Sequence, residues 1–351
     1  MSRDEKIRTF DPNSPGDPGS SLYGLPFDTS DAEVVVVPVP WDVTVSYKDG
    51  AALGPAAVLA ASVQVDLFDP AVTDAWKIGV AMDEISTEVR EAATRLREDA
   101  KTYIDAITTG IDPVSVAATA HIRDAVNDGS AWLNQWVEAR CAQFLDAGKL
   151  VVLLGGDHST PYGFMKALAA RHDSFGILQI DAHADLRDAY EGFTFSHASI
   201  MRNALRIPQV SHLVQVGIRD YCQEEADVIA SDRRITTFFD RDLKHAQYHG
   251  ATWAEQVQAI VNALPQHVYL SFDIDGLDPK LCPNTGTPVA GGFEFEQALF
   301  LIEQVVRTGR RVIGMDLNEV APGADGEWDA NVGARMLFRM CNQLAVSHGR
   351  A

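Results

Sequence analysis

Cysteine is scarce in this 351-residue chain: Cys141, Cys222, Cys282 and Cys341 lie far apart and form no C-x-x-C pair. That scarcity argues against a disulfide framework and a thiolate-held zinc, and it fits a reducing cytoplasm. Long apolar runs are missing too. None approaches the roughly 18–20 residues that span a bilayer, and the stretch from Met1 to Gly24 is polar, rich in Pro and Gly, and without the apolar centre of a signal peptide. Positive charge is in short supply: 29 Lys and Arg stand against 49 Asp and Glu, a formal net charge of −20. A nucleic-acid groove or an anionic membrane would be repelled by such a chain, whereas a cationic or neutral partner would not. After residue 31 there is no internal repeat, low-complexity tract or Ser/Gly linker.

What is present is an ordinary globular composition, 46% hydrophobic and 22% charged. From Ala32 the pattern is apolar strand, turn, helix, repeated. Strands are expected at Val35 to Pro40, Leu150 to Leu154, Gly176 to Ile180, Leu213 to Ile218, Ile235 to Phe239, Val268 to Phe272 and Val312 to Asn318. Helices are expected at Gly54 to Leu67, Thr87 to Ile107, Ser130 to Ala147, Pro161 to Arg171, His197 to Leu205, Glu224 to Ser231, Trp253 to Leu264, Phe295 to Thr308 and Asn331 to Ala345. Several strands are unbroken Val/Ile/Leu runs, which means burial on both faces. The expectation is one three-layer α/β/α domain over residues 32–351 with a central, mostly parallel sheet, preceded by a poorly structured arm over residues 1–31.

In such sheets ligands bind beyond the carboxyl ends of the strands. Four strand ends carry chemistry here: Gly155-Gly156-Asp157-His158-Ser159, Asp181-Ala182-His183-Ala184-Asp185, Asp273-Ile274-Asp275-Gly276-Leu277-Asp278-Pro279, and Asn318-Glu319-Val320. In extended backbone, alternate residues face one way, which groups Asp181, His183 and Asp185, and pairs Asp273 with Asp275. Four carboxylates and two imidazoles crowded together at neutral pH need compensating cations. Six ligands exceed what one catalytic ion uses and suit two ions with shared carboxylates. Oxygen and nitrogen donors without sulfur suit Mn, Ni, Co or Fe. Taken singly, each motif has a plainer reading: a tight turn with a capping Asp for G-G-D-H, and a turn or calcium-like loop for D-x-D-G-x-D-P, which lacks the spaced Glu of an EF-hand.

Together, in this order, the motifs resemble those of the ureohydrolases, the family of arginase and agmatinase, over about Val35 to Leu344. The resemblance implies a sheet of about eight strands and a dinuclear centre that hydrolyses a guanidino C–N bond, commonly to urea and an amine. It implies one metal on His158, Asp181, Asp185 and Asp273, and another on Asp181, His183, Asp273 and Asp275. It also matches Glu319 to the guanidinium-binding Glu and His197 to a proton-shuttling His, with Asp185 as first proton carrier; plain alternatives are a solvated strand-end carboxylate and a helix-start residue. The loops after the motifs, Leu281 to Pro288 and Glu327 to Arg335, look most like the nickel-dependent guanidine hydrolase subgroup. That resemblance implies nickel or manganese as cofactor and guanidine, an N-alkylguanidine or a biguanide as substrate, with agmatinase or guanidinobutyrase activity as the alternative. Trp328 either shortens the pocket or packs in the core. A one-zinc deacetylase of related fold and a subunit paired with an active paralogue are the competing readings, and family resemblance suggests homotrimers or hexamers.

Overall fold

Unbroken runs of Val, Ile and Leu need cover on both faces, and the computed structural model of the chain shows them covered inside one sheet. The structure describes residues 1–16, 21–108, 119–324 and 327–351. In chain order the elements are α1 (Arg3–Thr9), β1 (Val34–Pro38), α2 (Gly54–Ser62), β2 (Val80–Met82), α3 (Thr87–Thr108), α4 (Ala120–Asp146), β3 (Leu150–Leu154), α5 (Tyr162–Ala169), β4 (Phe175–Ile180), α6 (Ile200–Ala204), β5 (Val210–Ile218), α7 (Gln223–Ser231), β6 (Ile235–Phe239), α8 (Asp240–Tyr248), α9 (Trp253–Asn262), β7 (His267–Asp273), α10 (Phe295–Arg307), β8 (Arg311–Asn318) and α11 (Trp328–Ser347). The eight strands form one sheet in the order β2-β1-β3-β8-β7-β4-β5-β6, and every pairing is parallel.

Alternation along each strand sends side chains into two separate cores. Val34 and Val36 of β1 join the layer under α9, α10 and α11, with Val257, Ile302 and Leu337. Val35 and Val37 join the layer under α3, α4 and α5, with Leu96, Val137 and Phe164. The three-layer α/β/α expectation is met.

The N-terminal segment departs from the expected loose arm. Arg3–Thr9 is helical, and Lys6 reaches Asp28 at 3.0 Å and Asp31 at 2.7 Å. Leu22, Tyr23, Leu25 and Phe27 are buried, and the Tyr23 hydroxyl donates to the Ala334 carbonyl at 3.0 Å. These apolar anchors dock the segment on α11's layer, an effect that the Pro/Gly-rich composition conceals; residues 17–20 lie outside the described residues. Two further elements had no sequence signal: β2 has only three residues, and α8 buries just Asp240 and Leu243. The expected helix from His197 to Leu205 is a 3₁₀ turn, His197–Ser199, running into the short α6.

Candidate active site and metal centre

The four strands with unusual ends are neighbours, β3-β8-β7-β4, so the topology gathers their carboxyl ends at one point. The Gly-Gly pair after β3 permits the approach. A Cβ at Gly155 would lie 1.9 Å from Asn318 Oδ1, and one at Gly156 would lie 1.9 Å from the Trp41 carbonyl. Only glycine lets the backbone run this close, and the turn it makes delivers His158.

His158 Nδ1 is 3.0 Å from Asp181 Oδ2, 3.1 Å from Asp185 Oδ2 and 3.2 Å from Asp273 Oδ2. His183 Nδ1 is 3.6 Å from Asp181 Oδ1 and 3.0 Å from Asp275 Oδ2. Asp181 therefore turns one oxygen to each histidine and links two donor sets. Within each of the triads His158–Asp181–Asp185 and Asp181–His183–Asp275, the donor atoms lie within 4.8 Å of one another. All six expected ligands are brought together, and all except His183 are buried. Asp185 does not arrive by extended alternation. Its φ of 54° is left-handed and swings it back towards His158, and Glu319 shares that conformation at φ 62°. Strained non-glycine backbone of this kind concentrates at functional sites.

The donors fit divalent cations. His158 Nδ1 is buried with no hydrogen-bond partner among the described residues, while its Nε2 is engaged by Ser271 Oγ at 2.9 Å, which in turn donates to Asp316 Oδ1 at 3.0 Å. A ring with one nitrogen anchored and the other facing carboxylates has the arrangement of a metal-ligating histidine. The electrostatics agree. Burial, then the nearby Asp181 charge, pushes Asp185 up to about 7. Burial, then Asp275 and Asp181, holds Asp273 well above the usual carboxylate range. Burial also acts on Asp181, but the contacts from His158 and His183 outweigh it and bring that carboxyl below the usual range. Acids so crowded either take up protons or are offset by positive charge, which divalent cations would supply when bound.

Glu319 sits at the end of β8. Its Oε1 accepts from the His158 backbone N–H at 3.0 Å, while Oε2 is buried, has no partner among the described residues, and would stand 3.1 Å from a Cβ at Gly286. Burial, then Asp273 and Asp157, holds its pKa well above the ordinary value. His197 lines a cavity of about 150 Å³ together with Ser46, His183, Asp185, Tyr190 and Thr287. Burial, then His183 and His158, lowers His197 to about 3, so its ring is neutral near pH 7. The Tyr190 ring stands edge-on at 6.0 Å.

Trp328 does not reach this cavity. It opens α11 with 52% of its surface exposed, and its indole N–H donates to the Lys280 carbonyl at 3.0 Å. It tethers the loop that follows Asp278 and is not among the residues that line the cavity beside His183 and His197. Sequence reasoning missed Ser271 and Asp316 behind His158, and Gln179 behind Asp181. Their signal was a polar residue two positions before each strand-end Asp or Asn in otherwise apolar strands: Gln179-x-Asp181, Ser271-x-Asp273, Asp316-x-Asn318.

Comparison with known proteins bears on the chain as a whole. The sequence profile of the arginase family matches residues 32–342. An N(1)-aminopropylagmatine ureohydrolase of Synechocystis sp. is 33% identical over 294 residues, 84% of this chain and 83% of that protein. An agmatinase of Bacillus anthracis is 28% identical over 309 residues, 88% of this chain and 90% of the relative. In fold, the crystal structure of the agmatine ureohydrolase of Thermoplasma volcanium superposes with a TM-score of 0.69 at 20% identity, covering 99% of each chain.

Proposed function

The chain belongs to the arginase family and is thereby a ureohydrolase, acting on the C–N bond of a guanidino group; from that premise we propose that its substrate is a small cationic guanidino compound. Guanidine, an N-alkylguanidine or a biguanide would be cleaved to urea or a urea derivative plus ammonia or an amine. The observation that carries this reading is the 150 Å³ cavity beside His183, Asp185 and His197. A cavity of roughly that volume admits a ligand of about benzene's size, enough for a guanidinium with a short substituent.

His158, Asp181, Asp185 and Asp273 would hold one cation, and Asp181, His183, Asp273 and Asp275 the other. The oxygen and imidazole donors suit manganese or nickel. When bound, the pair supplies Lewis acidity and lowers the pKa of a shared water. Glu319 Oε2, buried and unpartnered among the described residues, accepts the guanidinium N–H groups and offsets their charge. Asp185 takes the proton released as the guanidinium carbon is attacked. His197, neutral at the cavity wall, carries it to the leaving amine.

A second reading has its own support. Two of the similar proteins are named for agmatine and aminopropylagmatine, and exposed Asp220 at the cavity mouth would face the distal ammonium of such a substrate. Guanidinobutyrate would instead set its carboxylate against Arg187, which stacks on Tyr190 at the same mouth. Homo-oligomerisation, as a trimer or hexamer, belongs to the same proposal and is read by sedimentation. The deciding experiment incubates protein loaded separately with Ni, Mn and Co with guanidine, biguanides, agmatine, guanidinobutyrate and arginine, and measures urea and amine release. Turnover fastest on guanidine or a biguanide supports the first reading. Turnover fastest on agmatine replaces it with the second, and metal-loaded protein inert on the whole panel ends both.

A further inference from the structure

Two glutamines are buried inside the sheet, where an unpaired amide would be costly. Gln179 of β4, Gln215 of β5 and Thr237 of β6 occupy one transverse row, paired in register as Gln179↔Gln215 and Gln215↔Thr237. The Thr237 hydroxyl donates to Gln215 Oε1 at 2.8 Å, and Gln215 Nε2 donates to Gln179 Oε1 at 2.7 Å. Gln179 Nε2 then donates to Asp181 Oδ2 at 2.8 Å. The direction of the chain is fixed at two points by backbone carbonyls, which can only accept: Gln215 Nε2 also donates to Ala184 O at 2.8 Å, and Gln179 Nε2 to His183 O at 3.1 Å. Neither amide can flip without placing its oxygen against a carbonyl oxygen. Across the row, β4 continues to Ser271 of β7 and Asp316 of β8, the pair behind His158. One transverse line of side chains thus backs both the shared carboxylate and the first histidine.

We infer that Gln179, oriented from the β6 edge by Gln215 and Thr237, is a positioning residue for Asp181: with the His183 N–H, which donates to Oδ1 at 2.6 Å, it holds the carboxylate plane in which one oxygen faces His158 and the other faces His183. Gln179 touches neither substrate nor the reacting atoms. Its effect is on the geometry of the carboxylate that the two donor sets share, and through it on the simultaneous binding of two cations. The inference rests on the two-cation reading given above. Outer partners of this kind typically change metal affinity or activity by about 10–100-fold when removed.

The test is manganese binding by equilibrium dialysis on the full-length protein, with Gln179→Leu, Thr237→Val, Thr237→Ser and the Gln179→Leu/Thr237→Val double variant. Circular dichroism and metal-free melting temperature report folding. Wild type is expected to bind two Mn, with the weaker site loosened about 10–100-fold in Gln179→Leu and by a smaller factor in Thr237→Val. Thr237→Ser, which keeps the hydroxyl donor, is expected to match wild type. Thr237→Val is expected to add nothing in the Gln179→Leu background, because the relay is already cut. Unchanged binding of both Mn by folded Gln179→Leu overturns the inference, as do effects of the two substitutions that multiply independently. If Gln179→Leu does not fold, the Thr237 pair decides alone: Thr237→Val binding Mn as tightly as Thr237→Ser overturns it. Wild type that binds two Mn but cleaves no guanidino compound refutes the functional reading and leaves this inference standing. Wild type that binds fewer than two Mn, and fewer than two Ni in the same dialysis, overturns both.

Discussion

Replacing Glu319 by Gln keeps the shape and the acceptor for the His158 N–H while removing one charge from a buried wall. Two consequences of opposite sign follow. Against a guanidinium about 4 Å away, one carboxylate charge contributes about 4 kcal/mol at an effective dielectric near 20, and a charge-assisted hydrogen bond about 2 kcal/mol net. The loss in kcat/KM is therefore expected between about 30- and about 1000-fold, at roughly 1.36 kcal/mol per factor of ten. Stability moves the other way. Burial and the neighbouring Asp273 and Asp157 raise the native pKa of Glu319 above its ordinary 4.5. The native state thus binds this proton more tightly than the unfolded chain, and it loses stability as pH rises above about 4.5 towards the raised native value. Metal-free Glu319→Gln should therefore be more stable than wild type at pH 7 and equal to it near pH 4. Urea denaturation of chelated protein at the two pH values, alongside steady-state kinetics of the reloaded enzyme, checks both halves. A variant within threefold of wild-type kcat/KM would refute the assignment of Glu319 to the guanidinium, and one destabilised at pH 7 would refute the electrostatic argument.

His197→Gln is expected to lower kcat by about 10²–10⁴-fold, the usual worth of a positioned proton carrier; because His197 is depressed from 6.5 to about 3, the metal-free variant should also lose less stability than wild type as pH falls from about 6.5 towards 3, which acid titration of unfolding measures. Gly156→Ala would place a methyl 1.9 Å from the Trp41 carbonyl, so it should express poorly or melt far below wild type, whereas Gly129→Ala meets only the flexible end of Leu96 at 2.3 Å and should cost much less; thermal melts compare them. Trp328→Phe removes only the N–H to the Lys280 carbonyl, and the order of preference across the guanidino panel should not change.

The cluster of candidate ligands was legible because its residues lie at strand ends, where an apolar run stops abruptly at Asp or His and the sequence itself marks the spot. Asp185 was found for a partly mistaken reason. Spacing suggested an extended alternation, but left-handed backbone at φ 54° brings it in, and no sequence pattern announces a non-glycine residue there. Trp328 misled because a large aromatic near a motif reads as a pocket wall, and its exposure depends on how α11 begins. The buried N-terminal anchors Leu22 to Phe27 were hidden because a few large side chains among Pro and Gly have no period. Gln179 and Gln215 escaped notice for the opposite reason: they lie inside strands already assigned to the core, and their meaning emerges only when β4, β5 and β6 are set side by side.

β8 is the last strand among the described residues, yet it lies fourth across the sheet, between β3 and β7. A ribosome that has released every residue up to 310 has produced a molecule with an open seam down its middle. Two parallel strands there present unpaired N–H and C=O groups along facing edges, which are templates for pairing with other chains. At roughly 5–20 residues per second the seam stays open until β8 itself has emerged. Synthesis of this protein thus has a hazardous interval before β8 appears, and truncations that remove β8 should yield aggregates in place of a smaller folded protein.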